Sequence, residues 1–95
     1  MIFELIAPNG RARQRRALSG LRSDLLDMAG GYSQYQGRGV WRDAGGRVYR
    51  EPHARLDVST RNGRGVLQAF RRYGRKAKEK VLFAVVNGRA RFIRP

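Results

Sequence analysis

The chain has 95 residues, 21 of them Lys or Arg and 7 Asp or Glu, for a formal net charge of +14. That length fits one small domain, and 41% hydrophobic against 29% charged residues is the balance of a folded protein, not of a disordered tail. The absence of cysteine excludes a disulfide framework and thiolate metal sites, and no apolar run approaches the ~20 residues that span a bilayer.

Ile2 to Ala7, an apolar run ahead of the turn cluster Pro8-Asn9-Gly10, predicts a first strand. No basic region precedes it, so it is not expected to be a secretory signal, and a cytoplasmic protein is expected. From Arg11 to Ala29, the residues Leu18, Leu21, Leu25 and Met28 recur at helical spacing, with Ala17 and Leu26 beside them. That pattern predicts an amphipathic helix, stopped by Gly30-Gly31. Two strands follow, Tyr32 to Arg42 and Arg47 to Thr60, around the turn Asp43-Ala44-Gly45-Gly46. Gly37 and Gly39 weaken the interior of the first. In the second, Val48, Ala54, Leu56 and Val58 fall on one face, and Tyr49, Glu51, His53, Arg55 and Asp57 on the other. One face is therefore core and the other open, as antiparallel sheets allow. Pro52 cannot donate to a ladder, so that end is expected at an edge or a bulge. Past Asn62-Gly63, the stripe Val66, Phe70, Tyr73 and Ala77 predicts a second helix from Arg64 to Lys80, with Gly74 against its propensity. Val81 to Val86 is a continuous apolar strand, and Asn87-Gly88 is a strong hairpin signal that pairs Arg89 to Ile93 back onto it.

The order β-α-β-β-α-β with a final hairpin strand predicts an α+β class: a ferredoxin-like antiparallel sheet with two helices on one face and a C-terminal β-hairpin. The run Gly39-Val40-Trp41-Arg42-Asp43-Ala44-Gly45-Gly46-Arg47-Val48-Tyr49-Arg50-Glu51 joins a Trp strand, an Asp/Gly turn and a Tyr-x-Glu strand. It resembles a hairpin of small uncharacterised bacterial and mobile-element proteins. The resemblance implies the same ferredoxin-like order and carries no activity with it.

Charge concentrates in the second half. Thirteen basic and three acidic residues give residues 49–95 a net +10, against eight and four, net +4, in residues 1–48. Arg11, Arg13, Arg15 and Arg16 crowd the start of the first helix, where the helix dipole disfavours each cation by up to ~1 kcal/mol. Arg11, Arg15 and Arg22 share a face there, suiting a phosphate or an acid. The stretch from Arg71 to Lys80 holds six basic residues, interrupted by one acid, Glu79. Arg71, Arg75 and Lys78 are expected on its solvent side; together with Arg64, Arg72 and Lys76 they form the expected nucleic-acid footprint. A third feature is the open sheet face with Tyr49, His53 and Arg55, joined by Tyr32 or Tyr35, which can stack bases or pair with a second copy.

These features favour a non-enzymatic protein that binds DNA or RNA through phosphates. The alternative is a phage- or plasmid-type inhibitor or adaptor of a host nucleic-acid-handling complex, such as a CRISPR effector, docking an acidic host protein. A third reading is a small ribonuclease toxin, with His53, Glu51, Asp57 and Tyr49 as its acid–base centre. No catalytic residue is assigned in the leading reading. One histidine and no cysteine give no metal-ligand spacing. No cofactor is expected, since Asn9-Gly10 and Arg61-Asn62-Gly63-Arg64-Gly65 are turns and no Walker pattern is present. No membrane partner is expected, while the Pro52 region and Arg89–Ile93 are candidate edges for a homodimer.

Overall fold

The computed structural model describes all 95 residues. Its elements run β1 (Ile2–Pro8), α1 (Ala12–Ala29), β2 (Ser33–Arg42), β3 (Val48–Ser59), α2 (Gly63–Ala77), β4 (Leu82–Val86) and β5 (Arg89–Ile93). They build one five-stranded sheet in the order β2-β3-β1-β4-β5, antiparallel at every junction. This is the expected α+β arrangement: β1 to β4 keep the ferredoxin-like order and β5 extends one edge.

Alternation along the strands decides which face is covered. Phe3, Leu5 and Ala7 pair across the sheet with Val58, Leu56 and Ala54, and all six are buried. They meet Leu18, Leu21 and Leu25 of α1 and Val66, Phe70 and Tyr73 of α2 in one core. Burying each large apolar side chain stabilises the fold by roughly 1.5–3 kcal/mol. The opposite face carries no helix, as the alternation in β3 requires. Leu26, expected beside the α1 stripe, instead points to solvent.

α2 stops at Ala77, three residues earlier than its charge run suggests. Lys78 adopts a left-handed backbone (φ 57°), and its N–H and that of Glu79 return to the carbonyls of Arg75 and Gly74 at 3.2 and 2.9 Å. These bonds close the helix end and swing Glu79 out of the helical run. Gly74 sits where the chain terminus packs on α2: a Cβ there would lie 2.6 Å from Pro95 Cγ and 2.7 Å from Leu82 Cδ1.

Pro52 lies in β3, the second strand of the sheet, at the point where the β1 side of that strand becomes a local edge. β1 ends opposite His53, one residue short of Pro52. A residue's N–H and C=O point the same way in an antiparallel strand, and the Pro52 carbonyl faces the β1 side, accepting from Asn9 N–H at 3.1 Å. The missing donor thus falls where the neighbouring strand has already stopped. Beyond that point β2 and β3 continue alone, Arg38–Arg42 against Pro52–Val48, as a two-stranded arm. Its turn is held by Asp43, which accepts from Arg47 N–H at 2.9 Å and from the Tyr49 hydroxyl at 3.2 Å. No helix is long and apolar enough to cross a membrane.

Candidate functional site

Where the arm leaves the sheet, the arm, the sheet end and the α2–β4 turn enclose a cleft of about 410 Å³. Ile6, Pro8, Phe83 and Phe92 line it from the open face of the sheet, Trp41 and Glu51 from the arm, and Lys78, Glu79 and Lys80 from the turn. Trp41 reaches its place over Gly39, where a Cβ would come within 2.7 Å of the indole Cζ2. Gly37 does the same for His53, whose Nε2 lies 2.7 Å from the position of a Cβ there. The two glycines that weaken β2 as a strand are therefore what let two rings lie flat on it.

Gln14 is the sole polar side chain buried in the core, at 3% exposure. Its Oε1 accepts from the Arg11 N–H at 2.9 Å, closing the start of α1, and its Nε2 donates to Glu79 Oε1 at 2.7 Å. One residue thus ties the helix start to the acid of the α2–β4 turn. Burial pushes the Glu79 carboxyl above the usual carboxylate range, and the Glu51 charge pushes the same way, against the Gln14 bond and the Arg11 charge. Beneath it, the Tyr73 hydroxyl donates to the Pro8 carbonyl. Burial raises its pKa, with Glu79 and Glu51 adding to the shift.

The chain holds two ion pairs, Arg55–Asp57 at 3.2 Å and Arg72–Asp24 at 2.6 Å. Neither Glu51 nor Glu79 has a cationic partner, although basic residues outnumber acidic ones 21 to 7. Two carboxylates without an ion-pair partner that face one concave site are candidates for chemistry. With an indole and an apolar wall beside them, they suit a small organic cation. No three His, Asp or Glu side chains converge to hold a metal ion.

The structure divides the expected basic footprint. Arg11 lies at the head of α1, beside a second depression against the arm. Arg15 donates to the Gly10 carbonyl at 2.9 Å and Arg22 to Gln34 at 2.8 Å, so both brace α1 against its neighbours. Arg72 is paired with Asp24, Arg75 donates to the Pro95 carbonyl at 3.4 Å, and Lys76 is exposed. Lys78 belongs to the cleft, away from the solvent stripe expected of it. Arg64 and Arg71 stand together on another side of α2. Tyr49, His53 and Arg55 do share the open sheet face, but no hydrogen bond links them. Tyr49 reaches Asp43, and Arg55 lies over the Tyr35 ring at 4.5 Å. The His53 pKa is lowered by burial and by Arg55, against the pull of Glu51.

Glu51 was legible as a candidate acid, but its partner Glu79 read only as a break in a basic run. Gln14 left a fainter trace: it stands three residues after Arg11, the position a capping box uses.

The sequence matches no protein-family profile and no curated protein. Among solved structures, the chain is similar to a phage SAM lyase in complex with S-methyl-5'-thioadenosine. The TM-score is 0.65 at 13% identity, over 99% of this chain and 88% of that one. The likeness is one of fold. It overturns the expectation that the chain is not an enzyme, since a solved structure with this architecture is a lyase. That expectation rested on the lack of a nucleophile–base pair and of metal-ligand spacing, and breaking a bond to a good leaving group needs neither. The neighbour is a phage protein.

Proposed function

We propose that the protein is an S-adenosylmethionine lyase that releases S-methyl-5'-thioadenosine at the Trp41–Glu51–Glu79 cleft. The observation that carries this reading is the pair of unpaired carboxylates facing an indole in a strongly basic chain. S-adenosylmethionine bears two cations, a sulfonium and an ammonium, and a flat adenine. Glu51 and Glu79 suit the ammonium, Trp41 suits the base, and Lys78 and Lys80 offer counter-charge to the carboxylate end.

The reaction asks little of the protein in proton transfer. The substrate's own carboxylate oxygen attacks the γ-carbon; the new C–O bond forms as the C–S bond breaks, and its electron pair stays on sulfur. The products are S-methyl-5'-thioadenosine and homoserine lactone, and the net charge of +1 is conserved. Because carboxylate and sulfonium charges cancel on the way to the transition state, an apolar surround favours that state over the ground state. Ile6, Pro8, Phe83 and Phe92 supply such a surround, while the two acids fix the amino group and so orient the attacking carboxylate. The phage source of the structural neighbour supports a phage-type protein that acts on a small molecule of the host.

The test is product analysis. Purified protein incubated with S-adenosylmethionine is expected to release S-methyl-5'-thioadenosine, and Glu51→Gln and Glu79→Gln each to lower kcat/KM at least ~100-fold, the scale of losing a buried charge contact. Failure of the wild-type protein to release any product rejects the reading.

A further inference from the structure

A second surface lies on the helix side of the sheet, away from the cleft. β5 extends the sheet past the helical layer: Arg89 and Arg91 face the same side as their partners Val86 and Ala84, yet Ala84 is buried and both arginines are exposed. A trough therefore runs between the edge strand and α2. Two adjoining depressions, about 390 and 560 Å³, make it up and share Met1, Leu67 and Arg71. Arg91 and Arg94 line the first and Arg64 the second, with Leu67 and Val86 as apolar floor. The packing of Pro95 onto Gly74 is what brings Arg94 to this side.

No acid lines either depression, and none of these arginines is ion-paired. Cations on an edge strand by themselves guard against strand-to-strand association. That role does not account for Arg64 and Arg71, which stand across the trough on α2, seven residues and so about 10.5 Å apart along its axis. Arg89 and Arg91 repeat at about 6.7 Å along β5. Two facing rows of unpaired guanidinium groups over an apolar floor fit a phosphate-bearing chain.

We propose that this trough, built from Arg64 and Arg71 of α2 and Arg91 and Arg94 of the C-terminal hairpin and flanked by Arg89 on the same face of β5, binds single-stranded nucleic acid. A flexible single strand can adjust its phosphates to these spacings, whereas a duplex holds its charges at fixed positions on a stiff cylinder. No side chain is placed to tell one base from another, so binding is independent of sequence.

The experiment is fluorescence anisotropy of the full-length protein with labelled oligothymidylate at about 50 and 200 mM salt. If about four phosphates are neutralised, log K falls against log salt with a slope of roughly −3, or ~60-fold between the two conditions. Arg64→Glu with Arg91→Glu is expected to weaken binding at least ~30-fold and to reduce the slope by about 1.4. Arg13→Glu with Arg16→Glu, the same charge change on the exposed start of α1, is expected to cost less than ~3-fold. Equal losses in the two pairs would reduce the effect to general attraction and overturn the proposal. So would tighter binding of duplex, or displacement of the oligonucleotide by polyglutamate at equal charge, which would mark the trough for an acidic protein. Release of S-methyl-5'-thioadenosine is expected to be unchanged in both pairs, which also shows that they fold.

Discussion

Gln14 carries a testable share of both stability and site geometry. Replacing it with alanine removes two hydrogen bonds, one to the Arg11 N–H at 2.9 Å and one to the Glu79 carboxylate at 2.7 Å. The first is a neutral bond at a helix start, worth about 0.5–1 kcal/mol. The second is charge-assisted and worth about 1.5–3 kcal/mol in full burial; Glu79 is only half-buried, so the lower end applies. Alanine returns a few tenths in helix propensity. The net loss is about 2 kcal/mol, which in a chain of this length lowers Tm by roughly 10 °C. Gln14→Glu keeps the acceptor for Arg11 but cannot donate to Glu79 and adds a like charge beside it. It should therefore cost at least as much at neutral pH and recover in acid. Thermal unfolding followed by circular dichroism reads the stability, and side-chain carboxyl NMR reads Glu79, whose pKa should rise further without its donor. A Tm within 2 °C of wild type for Gln14→Ala, with Glu79 titrating as before, would refute the reasoning.

Two further outcomes follow from the packing. The Glu79 pKa is raised in the fold, so the folded state holds its proton to higher pH than the unfolded chain does; stability should fall as pH climbs from the ordinary carboxylate range through the raised value. Glu79→Gln removes that slope, keeps an acceptor for Gln14 and should leave Tm at neutral pH equal or higher, so pH-dependent unfolding that matches wild type would count against the assignment. At Gly74 a methyl group gains about 1 kcal/mol of helix propensity but meets Leu82 and Pro95 at 2.7 and 2.6 Å, where overpacking costs about 1–3 kcal/mol. Gly74→Ala should thus lower stability by about 1 kcal/mol, and a chemical-denaturation midpoint above wild type would show that the chain terminus gives way instead.

Much of the fold was legible because local patterns and global packing agree. The alternation in β3 named its buried face, Val66, Phe70, Tyr73 and Ala77 named the stripe of α2, and Asn87-Gly88 named the last turn. Where the reading slipped, a backbone conformation or a partner strand decided. Lys78 turns left-handed and ends α2 early, which no propensity of lysine announces. Pro52 does mark an edge, as expected, but one that lies within the strand order and exists only because β1 ends there. The site was far less visible. Glu51 and Glu79 are 28 positions apart, and Gln14 and Glu79 are 65 apart, so the cleft exists only through the tertiary arrangement. Net charge also drew the reading toward the arginines, whereas the acids left unpaired among them are the informative groups. Glycines misled in the same way: Gly37 and Gly39 look like weak strand positions and are seats for His53 and Trp41.

The most direct test uses Trp41, the one tryptophan of the chain, half-exposed at the mouth of the cleft. Its emission should change saturably on titration with S-adenosylmethionine and with S-methyl-5'-thioadenosine. S-methyl-5'-thioadenosine carries neither cation, so a variant with both Glu51→Gln and Glu79→Gln should keep its response to that product and lose the response to S-adenosylmethionine. An emission spectrum unmoved by either compound, or a double variant that binds S-adenosylmethionine as tightly as the wild-type protein, would contradict the account.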